Sequence, residues 1–147
     1  WDQPDLAVDN FKRSISESPA IDRRIKLANA FRMNKNYQES IAAYKELLKA
    51  TLGNYQKVEV YEGLGDTYKA INDPVKSVFN YQKGLDIASA HQITPKITNL
   101  NSKIAEVYSE SGAVEEAAEY YDNSLKWLIF IIEIEILMKK LNCALKP

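Results

Sequence analysis

The chain has 147 residues, 46% of them hydrophobic, with only five Gly and five Pro, a size and balance that fit one soluble helical domain. Its net charge of −1 supplies no global basic field to attract nucleic acid. A single cysteine, Cys143, excludes an internal disulfide and suits a reducing compartment, while a single histidine, His91, excludes a multi-histidine metal site.

Apolar residues recurring at intervals of three and four predict helices near 4–16, 20–34, 37–51, 55–71, 74–90, 95–110 and 114–126. Ser18-Pro19 closes the first and opens the second, because a proline near a helix start gives up no hydrogen bond. Asn34-Lys35-Asn36, Asn72-Asp73-Pro74 and Ser111-Gly112 read as tight turns inside helix pairs, and Gly53-Asn54 and Thr94-Pro95 as breaks between pairs. No stretch before residue 127 reads as a strand. The N-terminus has no charged-then-apolar leader, and a start at Trp1 in place of Met reads as an excised domain or a processed product.

One pattern recurs along these helices. Leu27-Ala28-x-x-Phe31 returns as Leu64-Gly65-x-x-Tyr68 and as Ile104-Ala105-x-x-Tyr108. Ser40-x-x-x-Tyr44 returns as Ser77-x-x-x-Tyr81 and then, after a longer step, as Ala117-x-x-x-Tyr121. Small residues at Ala28, Gly65 and Ala105, and at Ser40, Ser77 and Ala117, allow two helix axes to approach closely. The aromatics a turn away fill the space between successive pairs, and their hydroxyls need partners. An internal repeat whose period is first about 37 and then about 40 residues predicts a stacked array.

The residues resemble the tetratricopeptide repeat, whose pattern places Leu-Gly and Tyr on a first helix, Ala and Phe on a second, then Pro. Tyr61-x-x-Leu64-Gly65-x-x-Tyr68 is nearly literal. Ala7-x-x-x-Phe11 with Pro19 forms a half-repeat, preceding Ser40 and Tyr44 by close to the family's usual period. The resemblance covers about residues 2–126. It implies an all-α, right-handed superhelix of antiparallel helix pairs with about three and a half repeats. The expected division is a half-repeat over 1–19, repeats over 20–54, 55–93 and 94–126, and an apolar helical extension over 127–147. The long spacing is similar to kinesin light chain, Pins-type adaptors and soluble NSF attachment proteins. These imply a cytoplasmic or nuclear protein–protein scaffold, with no enzyme activity and no cofactor.

Little in the sequence carries catalytic chemistry. A Cys143–His91 dyad would join residues of different repeats, and His91 reads as a solvent-facing residue at a helix end. Gly63-Leu64-Gly65 lies inside a predicted helix without a preceding strand, so it is no phosphate loop. Glu115, Glu116 and Glu119 suit the start of a helix through its dipole.

In the family, exposed positions of each first helix line a concave peptide groove. Carried over by register, these are Asp22, Ile25, Asn29, Arg32 and Met33, then Glu59, Glu62, Asp66, Lys69 and Ala70, then Asn99, Ser102, Glu106, Ser109 and Glu110. Chaperone-binding members use Lys, Asn and Arg there to clamp a terminal carboxylate. Only Asn29 matches, and Glu59, Glu62 and Gly63 stand where such a clamp needs neutral or basic groups. The predicted face instead forms an acidic trough of Glu59, Glu62, Asp66, Glu106 and Glu110 with Lys69. Such a trough suits a basic or amphipathic peptide, with Ile25 and Met33 as apolar contacts. The alternative reading is a hydrated helix face.

The run from Trp127 to Met138 is apolar apart from Glu133 and Glu135. It is too short and too charged for a membrane span, and it lacks the polar outer face of a capping helix. Ile132-Glu133-Ile134-Glu135-Ile136 also alternates like a strand. Three readings stay open: a self-association helix using Trp127, Phe130, Ile132, Ile136 and Leu137, the start of a further repeat, or a variant terminus. The preferred one predicts a homo-oligomer. For the whole chain, the alternatives to a peptide scaffold are a structural or self-assembling solenoid segment and a regulatory domain of a larger enzyme.

Overall fold

A computed structural model describes residues 21–144. The predicted helix at 4–16 and the half-repeat over 1–19 lie outside the described residues. Six helices follow: α1 (Ile21–Met33), α2 (Tyr37–Leu47), α3 (Asn54–Ala70), α4 (Pro74–Ala90), α5 (Thr94–Glu110) and α6 (Val114–Ala144). They form three antiparallel pairs, α1 with α2, α3 with α4 and α5 with α6.

The first helices of successive pairs also touch: α1 meets α3, and α3 meets α5. The second helices α2 and α4 make no comparable contact among the described residues. An array that is closed along α1, α3 and α5 and splayed along the other side is curved, with those three helices on the concave face.

The helix ends explain why the pairs fold back. Four helices stop in the same double hydrogen bond: Asn36 N–H to Phe31 with Lys35 N–H to Arg32, Asp73 to Tyr68 with Asn72 to Lys69, Ile93 to Ala88 with Gln92 to Ser89, and Ala113 to Tyr108 with Gly112 to Ser109. This termination requires one left-handed residue. It falls on Lys35, Asn72, Gln92 and Gly112, with φ of 60°, 60°, 52° and 82°. Asp73 then starts α4 by accepting from the Lys76 N–H at 3.1 Å, with Pro74 in the first turn.

The expected boundaries stand within a residue or so for α1, α3, α4 and α5. Two differ. Helix α2 ends at Leu47 and not near 51, because the chain tightens into three-residue bonds at Lys49 and Ala50 and turns Leu52 into the core. Helix α6 has no stop near residue 126 and runs unbroken for 31 residues, so the alternating segment around Ile134 is helical.

Two apolar clusters run along the array. Ile25, Ala28, Ile41, Tyr44, Leu47, Leu52, Val60, Leu64 and Tyr68 join the first pair to the second. Val58, Tyr81, Leu85, Ala88, Ile97, Leu100, Ile104 and Val107 join the second to the third. The repeat residues sit where these clusters need them. A Cβ on Gly63 would clash with the hydroxyl end of the Tyr44 ring, and one on Gly65 with an edge of the Tyr81 ring. Ser40 and Ser77 do more than stay small: their hydroxyls donate to the Ala28 and Gly65 carbonyls, each at 2.9 Å.

Candidate peptide groove

The concave face is built from one stripe on each of α1, α3 and α5, and polar side chains tie the stripes together. On α3, Glu62 receives three donors from α5: Lys96 Nζ at 2.7 Å, Asn99 Nδ2 at 2.6 Å and Lys103 Nζ at 2.9 Å. Asp66 accepts from Lys103 Nζ at 2.7 Å and from the Tyr81 hydroxyl at 2.7 Å, with the Arg32 guanidinium of α1 at 3.9 Å. Lys69 reaches across to Glu106 at 2.6 Å and Glu110 at 3.1 Å. These are the rungs that close the concave side.

The charges respond to this arrangement. Burial pushes the Glu62 carboxyl up, but the hydrogen bonds from Lys96 and Lys103 outweigh it and hold the group below its ordinary value. Burial dominates at Glu59, which is pushed up. Burial pulls Lys69 and Lys96 down, yet hydrogen bonds to Glu106, Glu110 and Glu62 leave both raised. Burial also raises the Tyr44 and Tyr81 phenols, so both hydroxyls remain donors. Tyr44 donates to Asn29 Oδ1 at 2.7 Å, as Tyr81 does to Asp66.

Two clefts open on this face. One, of about 410 Å³, is lined by Arg32, Asp66, Lys69, Ala70, Tyr81, Lys103 and Glu106. The other, of about 580 Å³ at the α1 end, is lined by Asp22, Ile25, Lys26, Asn29, Tyr55, Gln56 and Glu59. Asp22 there accepts from Gln56 Nε2 at 2.7 Å, and Asn29, its oxygen engaged by Tyr44, has its amide nitrogen to offer.

The predicted groove residues therefore separate into two groups. Arg32, Glu62, Asp66, Lys69, Glu106 and Glu110 are all engaged in ion pairs, the first three in one network with Lys96 and Lys103 and the last three in a second, whereas Asn29 and Glu59 lie in the open cleft with Asp22. Ile25 is only 4% exposed and belongs to the core, so its role as an exposed apolar contact is corrected to that of a floor residue. Met33 is 72% exposed at the end of α1. Ser102 turns toward α6, sharing a hydrogen bond of 2.9 Å with Ser124. The expectation of a bare acidic trough is also corrected, since Lys96 and Lys103 occupy its middle.

Sequence reasoning missed these two lysines. The spacing contained them: Lys96, Asn99, Lys103, Glu106 and Glu110 follow one another at three and four along a single face of α5. A register carried over from the shorter first repeat stops one turn short of Lys96. Among the described residues, no group of three His, Cys, Asp or Glu is placed to hold a metal ion, and no helix is long and apolar enough to cross a membrane.

No family model matches the sequence, and no curated protein matches it. Solved structures do match its fold. A crystal structure of MamA superposes with a TM-score of 0.72 at 20% identity, covering 88% of this chain and 71% of that one. BtubC from P. vanneervenii gives 0.66 at 16% identity, covering 84% of this chain and 54% of its own. PlcR of Bacillus thuringiensis, solved with the peptide PapR7 and DNA, gives 0.79 at 13% identity. That match covers 95% of this chain and 54% of PlcR, so the chain spans about half the length of these last two. At such identities the likeness concerns architecture alone, and the architecture is an all-α solenoid of tetratricopeptide type.

Proposed function

We propose that this chain is a non-catalytic protein–protein interaction scaffold that holds a basic or amphipathic peptide segment along the face of α1, α3 and α5. The observation that carries this is the division of the face. The carboxylates of its middle are satisfied by Lys96, Lys103 and Arg32, while Asp22 and Glu59 stand in an open cleft of about 580 Å³ beside Asn29 and Tyr55. A lysine or arginine of the peptide pairs with Glu59 and Asp22, the Asn29 amide donates to the peptide backbone, and apolar residues lie against Tyr55. Ionising a carboxyl that burial has pushed up is easier beside an incoming cation. The long steps from Ser40 to Ser77 and from Ser77 to Ala117 support a place among the long-repeat adaptors, in a cytoplasmic or nuclear setting.

A selection of displayed peptides on the full chain tests this. The expected binders carry Lys or Arg among apolar residues, and Glu59→Lys weakens a selected peptide about tenfold, as expected for one charge-assisted contact reversed. Binders that are neutral or acidic, or that ignore Glu59→Lys, would overturn the reading.

A second activity, self-association, is supported by α6. From Ile132 to Cys143 every residue is exposed, including Ile132, Ile134, Ile136, Leu137, Met138 and Leu141. Trp127 and Phe130 pack edge to face at 5.8 Å at the base of this segment. We read it as the oligomerisation surface, with Trp127, Phe130, Ile132, Ile136 and Leu137 as its members.

A further inference from the structure

Helix α5 is 17 residues long and α6 is 31, so at 1.5 Å per residue α6 overhangs its partner by about 20 Å. The stripe that α6 buries against α5 includes Ala117, Ser124 and Trp127, and its line continues past the end of α5, where no other helix among the described residues lies under it. Along that line Trp127, Phe130, Ile134, Leu137 and Leu141 alternate at three and four residues, the spacing of a two-helix seam. Phe130, Ile134, Leu137 and Leu141 are all exposed.

The charges beside the seam select an occupant. Glu133 and Lys140 lie one heptad apart on the same flank. Two copies of the seam running antiparallel set Ile134 beside Leu137 and Phe130 beside Leu141. The same operation brings Glu133 of each copy alongside Lys140 of the other, twice, by symmetry. A parallel pairing sets those charges against Ile131 and Met138 instead. We infer that the overhang of α6 is completed by the α6 of a second copy of this chain, antiparallel, with reciprocal Glu133–Lys140 pairs across a two-fold axis near residues 135 and 136. This rests on the reading of the tail as a self-association surface, from which it moves Ile132 and Ile136 to the outer face of the helix, and it adds the direction and the register.

Sedimentation equilibrium of the full chain with Glu133→Lys and with Lys140→Glu tests it. Each variant alone places like charges in both symmetric contacts and is expected to associate about tenfold more weakly than the parent. An equimolar mixture restores two opposite-charge contacts per dimer and is expected to recover the parent affinity as a heterodimer. Both positions are exposed on a continuous helix, and circular dichroism checks that the fold is kept. A parent dimer whose affinity ignores both substitutions would overturn the antiparallel register alone. A parent that stays monomeric at high micromolar concentration would overturn the self-association reading with it.

Discussion

Two tyrosines hold adjacent repeats in register. The Tyr44 and Tyr81 rings are almost wholly buried, and each hydroxyl finds an amide or carboxylate oxygen on the first helix of its own pair. Removing one hydroxyl leaves the ring packing intact and loses one buried hydrogen bond. Tyr81→Phe is therefore expected to lower stability by about 1 kcal/mol in urea denaturation. The glycines under these rings behave contrary to their helix propensity. In an ordinary helix interior, Gly→Ala gains about 0.5–1 kcal/mol. At Gly63 the new methyl would clash with the hydroxyl end of the Tyr44 ring, so Gly63→Ala is expected to cost about 1–3 kcal/mol, as overpacking does. The small and aromatic positions were legible in the sequence through their spacing alone. The hydrogen bonds of Ser40 and Ser77 to backbone carbonyls were not legible, because small size and hydrogen-bonding capacity both fit those positions and only the approach of two backbones decides between them.

At the scale of elements, the turns were readable and their strain was not. Asn72 and Gly112 tolerate a left-handed backbone, whereas Lys35 and Gln92 adopt it at some cost. Gln92→Gly removes that cost and gives back part of it as chain entropy in the unfolded state. A net gain of about 0.5–1 kcal/mol is expected, visible as a raised thermal midpoint. The rungs between α3 and α5 produce a pH dependence. Glu62 is 13% exposed, and its carboxyl is held below the ordinary value of 4.5. A depressed carboxyl adds stability that is complete above its unfolded value and is lost as pH falls through its lower folded value. Glu62→Gln is thus expected to be less stable than the parent at pH 7 by about 1–3 kcal/mol, with the gap closing below about pH 4.5. A gap independent of pH would contradict the assigned role of the Lys96 and Lys103 hydrogen bonds. Neither lysine is placed on this face by the repeat register. The step from Ser77 to Ala117 is longer than that from Ser40 to Ser77, and α5 is a full turn longer than α1, so positions carried from the first repeat fall short of Lys96.

For the whole molecule, curvature arises because α1, α3 and α5 are tied by polar rungs while α2 and α4 stand apart. The fold followed from a repeat that could be counted. The charge of the concave face did not, since it depends on which stripes of neighbouring helices meet and cancel. The last pair differs from the others. Tyr121, the counterpart of Tyr44 and Tyr81, is 43% exposed, for no helix of the chain lies over it among the described residues. The most direct test of the concave face is hydrogen–deuterium exchange of the chain with and without a selected basic peptide. Added protection is expected along α1, α3 and α5, strongest around Asn29 and Glu59, with α2 and α4 unchanged. Protection confined to α6, or spread evenly over the convex helices, would contradict it.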